Sequence, residues 1–134
     1  EHIATVEVSS EDPAFPIEAA FRGDEQSFWR AAEPGRQQIR IVFDEPVSLR
    51  RIQLRFDEQE RERTQEFTLA WGSAQGGPMK EIVRQQWNFS PPNTIREAEE
   101  YQVDLPDVSV LELIVVPHTS GGPARASLKS SRLR

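Results

Sequence analysis

"QQIRIVFDEPVSLRRIQLRF", residues 37–56, decides the fold class. Its apolar side chains recur at every second position, Ile39, Ile41 and Phe43 and then Ile52, Leu54 and Phe56. Between them stand Gln38, Arg40 and Val42, and then Arg51, Gln53 and Arg55. A period of two puts one set on one face of an extended strand and the other set on the opposite face. The acidic and proline break "DEP" at residues 44–46 divides the stretch. It therefore reads as two strands joined by a short turn.

The same period recurs on both sides. "HIATVEVS" (residues 2–9) sets Ala4, Val6 and Val8 against Ile3, Thr5 and Glu7, and "EFTLAWG" (66–72) sets Phe67, Leu69 and Trp71 against Glu66, Thr68 and Ala70. In "MKEIVRQQWNF" (79–89), Val83, Gln85, Trp87 and Phe89 share one face, which makes Trp87 a core residue, and Ile82, Arg84, Gln86 and Asn88 share the other. "YQVDL" (101–105), a turn at "PD", and "VSVLELIVV" (108–116) follow; the continuous apolar run of the last marks a central strand covered on both faces. "RASLKSSRL" (125–133) is a final strand.

Between the strands, "IEAAF" (17–21) reads as a short helical turn, and "RGDEQSFWRAAEPGR" (22–36) and "SPPNTIREAEE" (90–100) as irregular connections. "DEQERERTQE" (57–66) has no apolar stripe and reads as a solvated hairpin loop. About eight strands at near-regular spacing predict an all-β fold: an antiparallel β-sandwich of the jelly-roll kind, in one domain over residues 1–134.

Composition narrows the function. A formal charge of -6 argues against a nucleic-acid backbone as partner. No apolar run reaches the ~20 residues of a transmembrane helix, so no membrane partner is expected. The positive charge is nearly all guanidinium, since only Lys80 and Lys129 are lysines. Guanidinium forms two-pronged bonds to carboxylates and stacks on rings. The absence of cysteine excludes disulfides, thiolate nucleophiles and cysteine metal sites. It fits a reducing compartment, so a cytoplasmic location is expected, with an exported chain whose leader has been removed as the alternative.

Nothing carries a catalytic signature. Only His2 and His118 are present, and no serine stands in a Gly-x-Ser-x-Gly turn. The acid runs Asp57, Glu58, Glu60 and Glu97, Glu99, Glu100 could supply a carboxylate pair, but acids in polar loops read as solvated surface. The expectation is a non-enzymatic protein.

The order of elements resembles the discoidin-like family of coagulation-factor C-type and galactose-binding jelly rolls, from about Val6 to Leu133. The resemblance rests on Gly23-Asp24 ahead of Trp29, the strands of residues 37–54, the hairpin "EFTLAWGSAQGGPMKEIV" and the late strand "VSVLELIVV". Phe28 stands where the family has a threonine, and Glu112 or Leu113 where it often has an arginine. The blocks "RTQEFTLAW" and "IVRQQWNFSP" also resemble small bacterial carbohydrate-binding-like proteins.

The resemblance implies a binding module with a glycan or protein partner, and no cofactor is required. It also implies a structural calcium at the loop of Gly23-Asp24-Glu25, with Asp24 and Glu112 as ligands; the alternative is that Asp24 caps a tight turn. A sugar needs an aromatic face and planar polar groups. Trp29 with Arg30, Arg63 with Gln65, and Arg84 with Gln86 are the candidates for that role. Trp29 and Trp71 also stand where the family keeps core tryptophans, so burial is the competing reading for each. A second function, protein interaction or assembly, would use an outer sheet face bearing Arg40, Arg51, Gln53, Arg55, Glu66 and Arg84; its plain alternative is a solvated face laced by weak ion pairs.

Overall fold

The computed structural model describes residues 3–22, 26–74 and 76–134. The strands are β1 (Ala4–Val8), β2 (Trp29–Pro34), β3 (Gln37–Asp57), β4 (Arg63–Gly72), β5 (Lys80–Phe89), β6 (Arg96–Val116), β7 (Arg125–Leu128) and β8 (Ser130–Leu133). The only helical element among the described residues is a 3-10 turn at Ile17–Phe21, where the sequence places one. No helix among them is long and apolar enough to cross a membrane.

β3 and β6 are each continuous across the breaks that read as turns. They run antiparallel, and their register shifts between Val42 and Arg51, opposite Val110 and Gln102. "DEP" and "PD" are therefore neighbouring irregularities on the two strands of one ladder, on either side of the Val47–Val108 pair. Proline offers no N–H to a ladder, and extra residues bend the strand that carries them. The bend carries both strands from one layer to the other. In the first layer, β1 and the early part of β3 pair beside the late part of β6, which also pairs with β4, and β4 pairs with β5. In the second, the late part of β3 lies between β8 and the early part of β6.

The layers close on Phe56, Phe67 and Tyr101. Phe56 stacks on Phe67 with ring centres 5.3 Å apart, and Tyr101 meets Phe67 edge-on at 6.5 Å. Ile39, Ile52 and Leu54 join the core, as the alternation predicts, and Leu113 and Val115 join it from the continuous apolar run of β6. β6 is central in the first layer, and Leu111, Glu112 and Leu113 are all buried, so its late part is covered on both faces.

Three further segments differ from the sequence reading. Residues 29–34 form β2, paired with β7; Ala, Glu and Pro give weak strand propensity, and pairing supplies what propensity does not. Gly35, at φ 90°, turns the chain from β2 into β3, a conformation glycine adopts without a Cβ penalty. Residues 96–100 belong to β6, and "RASLKSSRL" divides at Lys129 into β7, facing β2, and β8, facing β3. The count of eight holds because two mergers offset one added strand and one division.

Candidate functional site

Strand alternation at the start of β2 sends neighbouring residues to opposite sides. Trp29 points inward, is completely buried, and donates from Nε1 to the Ser10 carbonyl at 3.1 Å. Its ring offers no face to a ligand, so the sugar platform expected of it is corrected to a core role. Phe28 and Arg30 face the other way. Phe28 stacks on Phe15 with centres 4.5 Å apart and planes 21° apart. The Arg30 guanidinium carbon lies 5.0 Å from the Phe15 ring centre and 5.4 Å from that of Phe28. This is cation–π geometry that holds a flat donor fork against aromatic surface.

Arg30 lies where two hollows meet. One, of about 490 Å³, is lined by Phe28, Arg30, Arg55, Asp57, Glu58 and Lys129, among others. The second, of about 530 Å³, adds Arg61, Glu62 and Arg125, and the two share Arg30, Glu58, Glu60 and Ser127. Each is of a size that accommodates a small organic ligand. Most of the charges are fixed by partners. Arg55 donates to both oxygens of Asp57 at 3.1 Å, Arg96 approaches Asp57 at 3.6 Å, and Arg125 approaches Asp12 at 3.7 Å. Lys129 is buried and donates to the Ser27 carbonyl at 3.0 Å.

The loop at residues 58–62, which borders both hollows, is tied down by Glu58. One carboxylate oxygen accepts from Arg63 Nε at 2.7 Å, and the other accepts the N–H groups of Glu60 at 3.0 Å and Arg61 at 3.1 Å. Burial alone would raise the Glu58 pKa. The bonds from Arg63 and the two backbone donors outweigh it and hold the group below its usual value.

Arg63 and Gln65 are a correction. They begin β4 rather than capping a solvated hairpin, and their side chains point between the layers, where both are buried. Arg63 Nη1 donates to Gln65 Oε1 at 3.0 Å and to the Pro117 carbonyl at 2.8 Å, and the guanidinium lies 4.6 Å from the Phe89 ring centre. Gln65 Nε2 then donates across the sandwich to Glu97 Oε1 at 3.1 Å. These two side chains build the interior and offer little to a ligand.

Glu97, read from sequence as solvated, is completely buried. Desolvation and the adjacent Glu99 carboxylate raise its pKa to about 8, against the opposing pull of Gln65 and Arg63. Burial also raises the Tyr101 pKa, with Glu99 and Glu97 adding to it, and its hydroxyl donates to Gln85 Oε1 at 2.9 Å.

Arg84 and Gln86 lie exposed on the outside of β5, as the alternation predicts. Arg84 contacts Glu81 at 3.1 Å and Glu66 at 3.6 Å, and Gln86 donates to Glu66 at 3.2 Å. The polar face expected to run through Arg40, Arg51, Gln53, Arg55, Glu66 and Arg84 is divided. The bend in β3 puts Arg40 in the first layer and Arg51, Gln53 and Arg55 in the second.

Of the calcium pair, Asp24 lies outside the described residues, with Gly23 and Glu25, as does His2. Glu112 does not fit a calcium ligand: its Oε2 accepts from Arg40 Nη2 at 2.7 Å and from Gln38 Nε2 at 2.7 Å. A carboxylate oxygen already holding a guanidinium and an amide is poorly placed to give its charge to a cation. No group of three His, Asp or Glu side chains comes together in metal-holding geometry among the described residues.

A smaller hollow, of about 380 Å³, is bounded by Gln86, Trp87, Asn88 and Thr94. Trp87 packs on the core and is only half-buried, and its Nε1 has no hydrogen-bond partner.

The chain superposes on a pectin-binding carbohydrate-binding module with a TM-score of 0.72, at 14% identity, covering 99% of this chain and 91% of that one. It has the discoidin-like fold. The family 32 module of AlyQ, solved with 4,5-unsaturated mannuronic acid, gives 0.71 at 16% identity, covering 99% and 95% of the two chains. The family 32 module of NanJ from C. perfringens, solved with galactose, gives 0.69 at 12% identity, covering 97% and 92%. No family model matches this chain, and no curated protein matches it in sequence.

Proposed function

We propose that this protein is a non-catalytic carbohydrate-binding module whose site is the groove around Phe28 and Arg30. The observation that carries the reading is the Phe15, Phe28 and Arg30 cluster at the junction of the two hollows. It puts a ring surface, a planar donor fork, carboxylates and the Ser127 hydroxyl around one space, the inventory that sugar C–H faces and hydroxyls require. The fold supports the same reading, because the structural neighbours named above are sugar-binding modules.

Against hydrolysis by Glu97 and Glu99 stands the burial of Glu97 between the layers. Against assembly through the outer face of β5 stands the mutual pairing of Arg84, Glu66, Glu81 and Gln86. A glycan array of neutral and acidic oligosaccharides, probed with the wild-type chain and with Arg30→Ala, tests the reading: binding that Arg30→Ala removes supports it. Binding that survives Arg30→Ala unchanged moves the site elsewhere.

A further inference from the structure

We infer that the groove takes a sugar bearing a carboxylate, with Arg30 and Arg61 as its counter-charges; this rests on the carbohydrate reading above. Among the described residues, the two hollows together are lined by six cationic side chains and four carboxylates. That local excess of positive charge sits on a chain whose formal charge is -6. A surface that runs against the sign of the whole molecule attracts an anion locally while the rest of the protein repels it.

Within the groove the charges are unevenly paired. Arg55 and Arg96 share Asp57, Arg125 faces Asp12, and Glu58 is engaged by Arg63 and the backbone of its own loop. Asp57, Asp12 and Glu58 are used in holding the groove together; of the other two lining carboxylates, Glu62 accepts from Ser90 Oγ at 3.4 Å and Glu60 has no cationic partner among the described residues. Arg30 and Arg61 are different: among the described residues neither guanidinium has a carboxylate partner. Both border the second hollow, and Arg30 borders both.

Arg30 is also held in place. The rings of Phe15 and Phe28 hold its guanidinium without neutralising its charge, because the attraction to a ring quadrupole leaves the N–H groups able to donate. A carboxylate in the plane of such a fork accepts two parallel charge-assisted bonds, and a neutral hydroxyl cannot match that. The remaining sugar hydroxyls would meet Glu60 and Ser127, which line both hollows.

The carboxylate could sit within a polymer, as in a uronic acid, or on a terminal unit, as in a sialic acid. The test covers both. Affinities are measured by titration calorimetry at low and moderate salt for oligogalacturonate, oligomannuronate and sialyllactose. Each is paired with its carboxyl-reduced counterpart or, for sialyllactose, with lactose. At least one acidic probe is expected to bind about tenfold or more tightly than its neutral partner, as one charge-assisted contact warrants, with the preference shrinking as salt rises. Arg30→Gln is expected to abolish the preference, and Arg61→Gln, at an exposed loop position that leaves the fold intact, to reduce it.

Equal affinity for acidic and neutral partners overturns the carboxylate inference and leaves carbohydrate binding standing. A preference that persists in both variants overturns the assignment to Arg30 and Arg61. No binding to any probe, acidic or neutral, overturns the carbohydrate reading and this inference with it.

Discussion

Phe28 and Trp29 are adjacent in sequence and opposite in the fold: Trp29 is sealed in the core with its indole N–H on Ser10, and Phe28 lies at the groove beneath the Arg30 guanidinium. One step along an extended strand separates a structural aromatic from a candidate binding one. Trp29→Ala is therefore expected to lose about 3–5 kcal/mol of stability, the usual range for emptying a large aromatic site. Phe28→Ala, removing a half-buried ring, is expected to cost a smaller fraction of that while abolishing glycan affinity. Urea denaturation of both variants, alongside binding, separates the two roles; equal destabilisation would show that they are not distinct.

Arg63 holds Glu58, Gln65 and the Pro117 carbonyl at once, from a position only 2% exposed. Removing one partner of a buried charged network leaves the others unsatisfied, so Arg63→Ala is expected to cost about 3–5 kcal/mol. Chemical denaturation measures it, and a loss near zero would mean that solvent or a neighbour replaces the guanidinium.

Glu97 predicts how stability varies with pH. Its folded pKa of about 8 lies above the unperturbed 4.5, so the folded state binds a proton that the unfolded state has released. Its contribution is complete below about 4.5 and lost as pH rises through 8. Melting temperature is therefore expected to fall between pH 5 and pH 9, and Glu97→Gln, which keeps a neutral amide in place, to flatten the decline. Glu58 acts in the opposite sense, its contribution being lost as the solution is acidified, because its folded pKa is lowered. A rise in stability across the alkaline window in the wild type would contradict the assignment.

Arg84 and Gln86 occupy an exposed face whose contacts are surface ion pairs and one hydrogen bond from the Gln86 amide to Glu66. Their double alanine variant is expected to stay within about 0.5–1 kcal/mol of wild type in stability, the scale of exposed pairs. It should leave glycan affinity unchanged. A large loss of binding would return the site to the outer face of β5.

Much of the fold is legible because the period of two survives in the residues that bury themselves: Ile39, Ile52, Leu54, Phe56, Phe67 and Leu69 all point where alternation sends them. The bend was not legible. "DEP" and "PD" look like turns, and only the pairing of β3 with β6 on both sides of each reveals them as irregularities within strands. β2 was hidden for a related reason, because its pairing partner, β7, lies some ninety residues later.

At the site, residue type was a better guide than residue number. The aromatic beside Arg30 that borders the groove is Phe28, stacked on Phe15, and not Trp29. Taking Trp29 as inward would have sent Phe28 outward by the same alternation. Ser127 and Lys129 carried no such signal, since they reach the groove from a distant segment, and neither did Phe15, which meets Phe28 and Arg30 from before the 3-10 turn. Arg63, Gln65 and Glu97 were misread together: a charged run looks solvated, and an inter-layer network that satisfies most of its polar groups internally leaves no mark on composition.

The most direct test is to locate a bound oligosaccharide by amide and arginine side-chain NMR shifts on the labelled protein. The account predicts perturbations concentrated at Phe28, Arg30, Arg61 and Ser127, with the Arg30 Nε–H signal among the largest. Shifts gathered instead at Gln86, Trp87, Asn88 and Thr94 would place the sugar in the smaller hollow and contradict it.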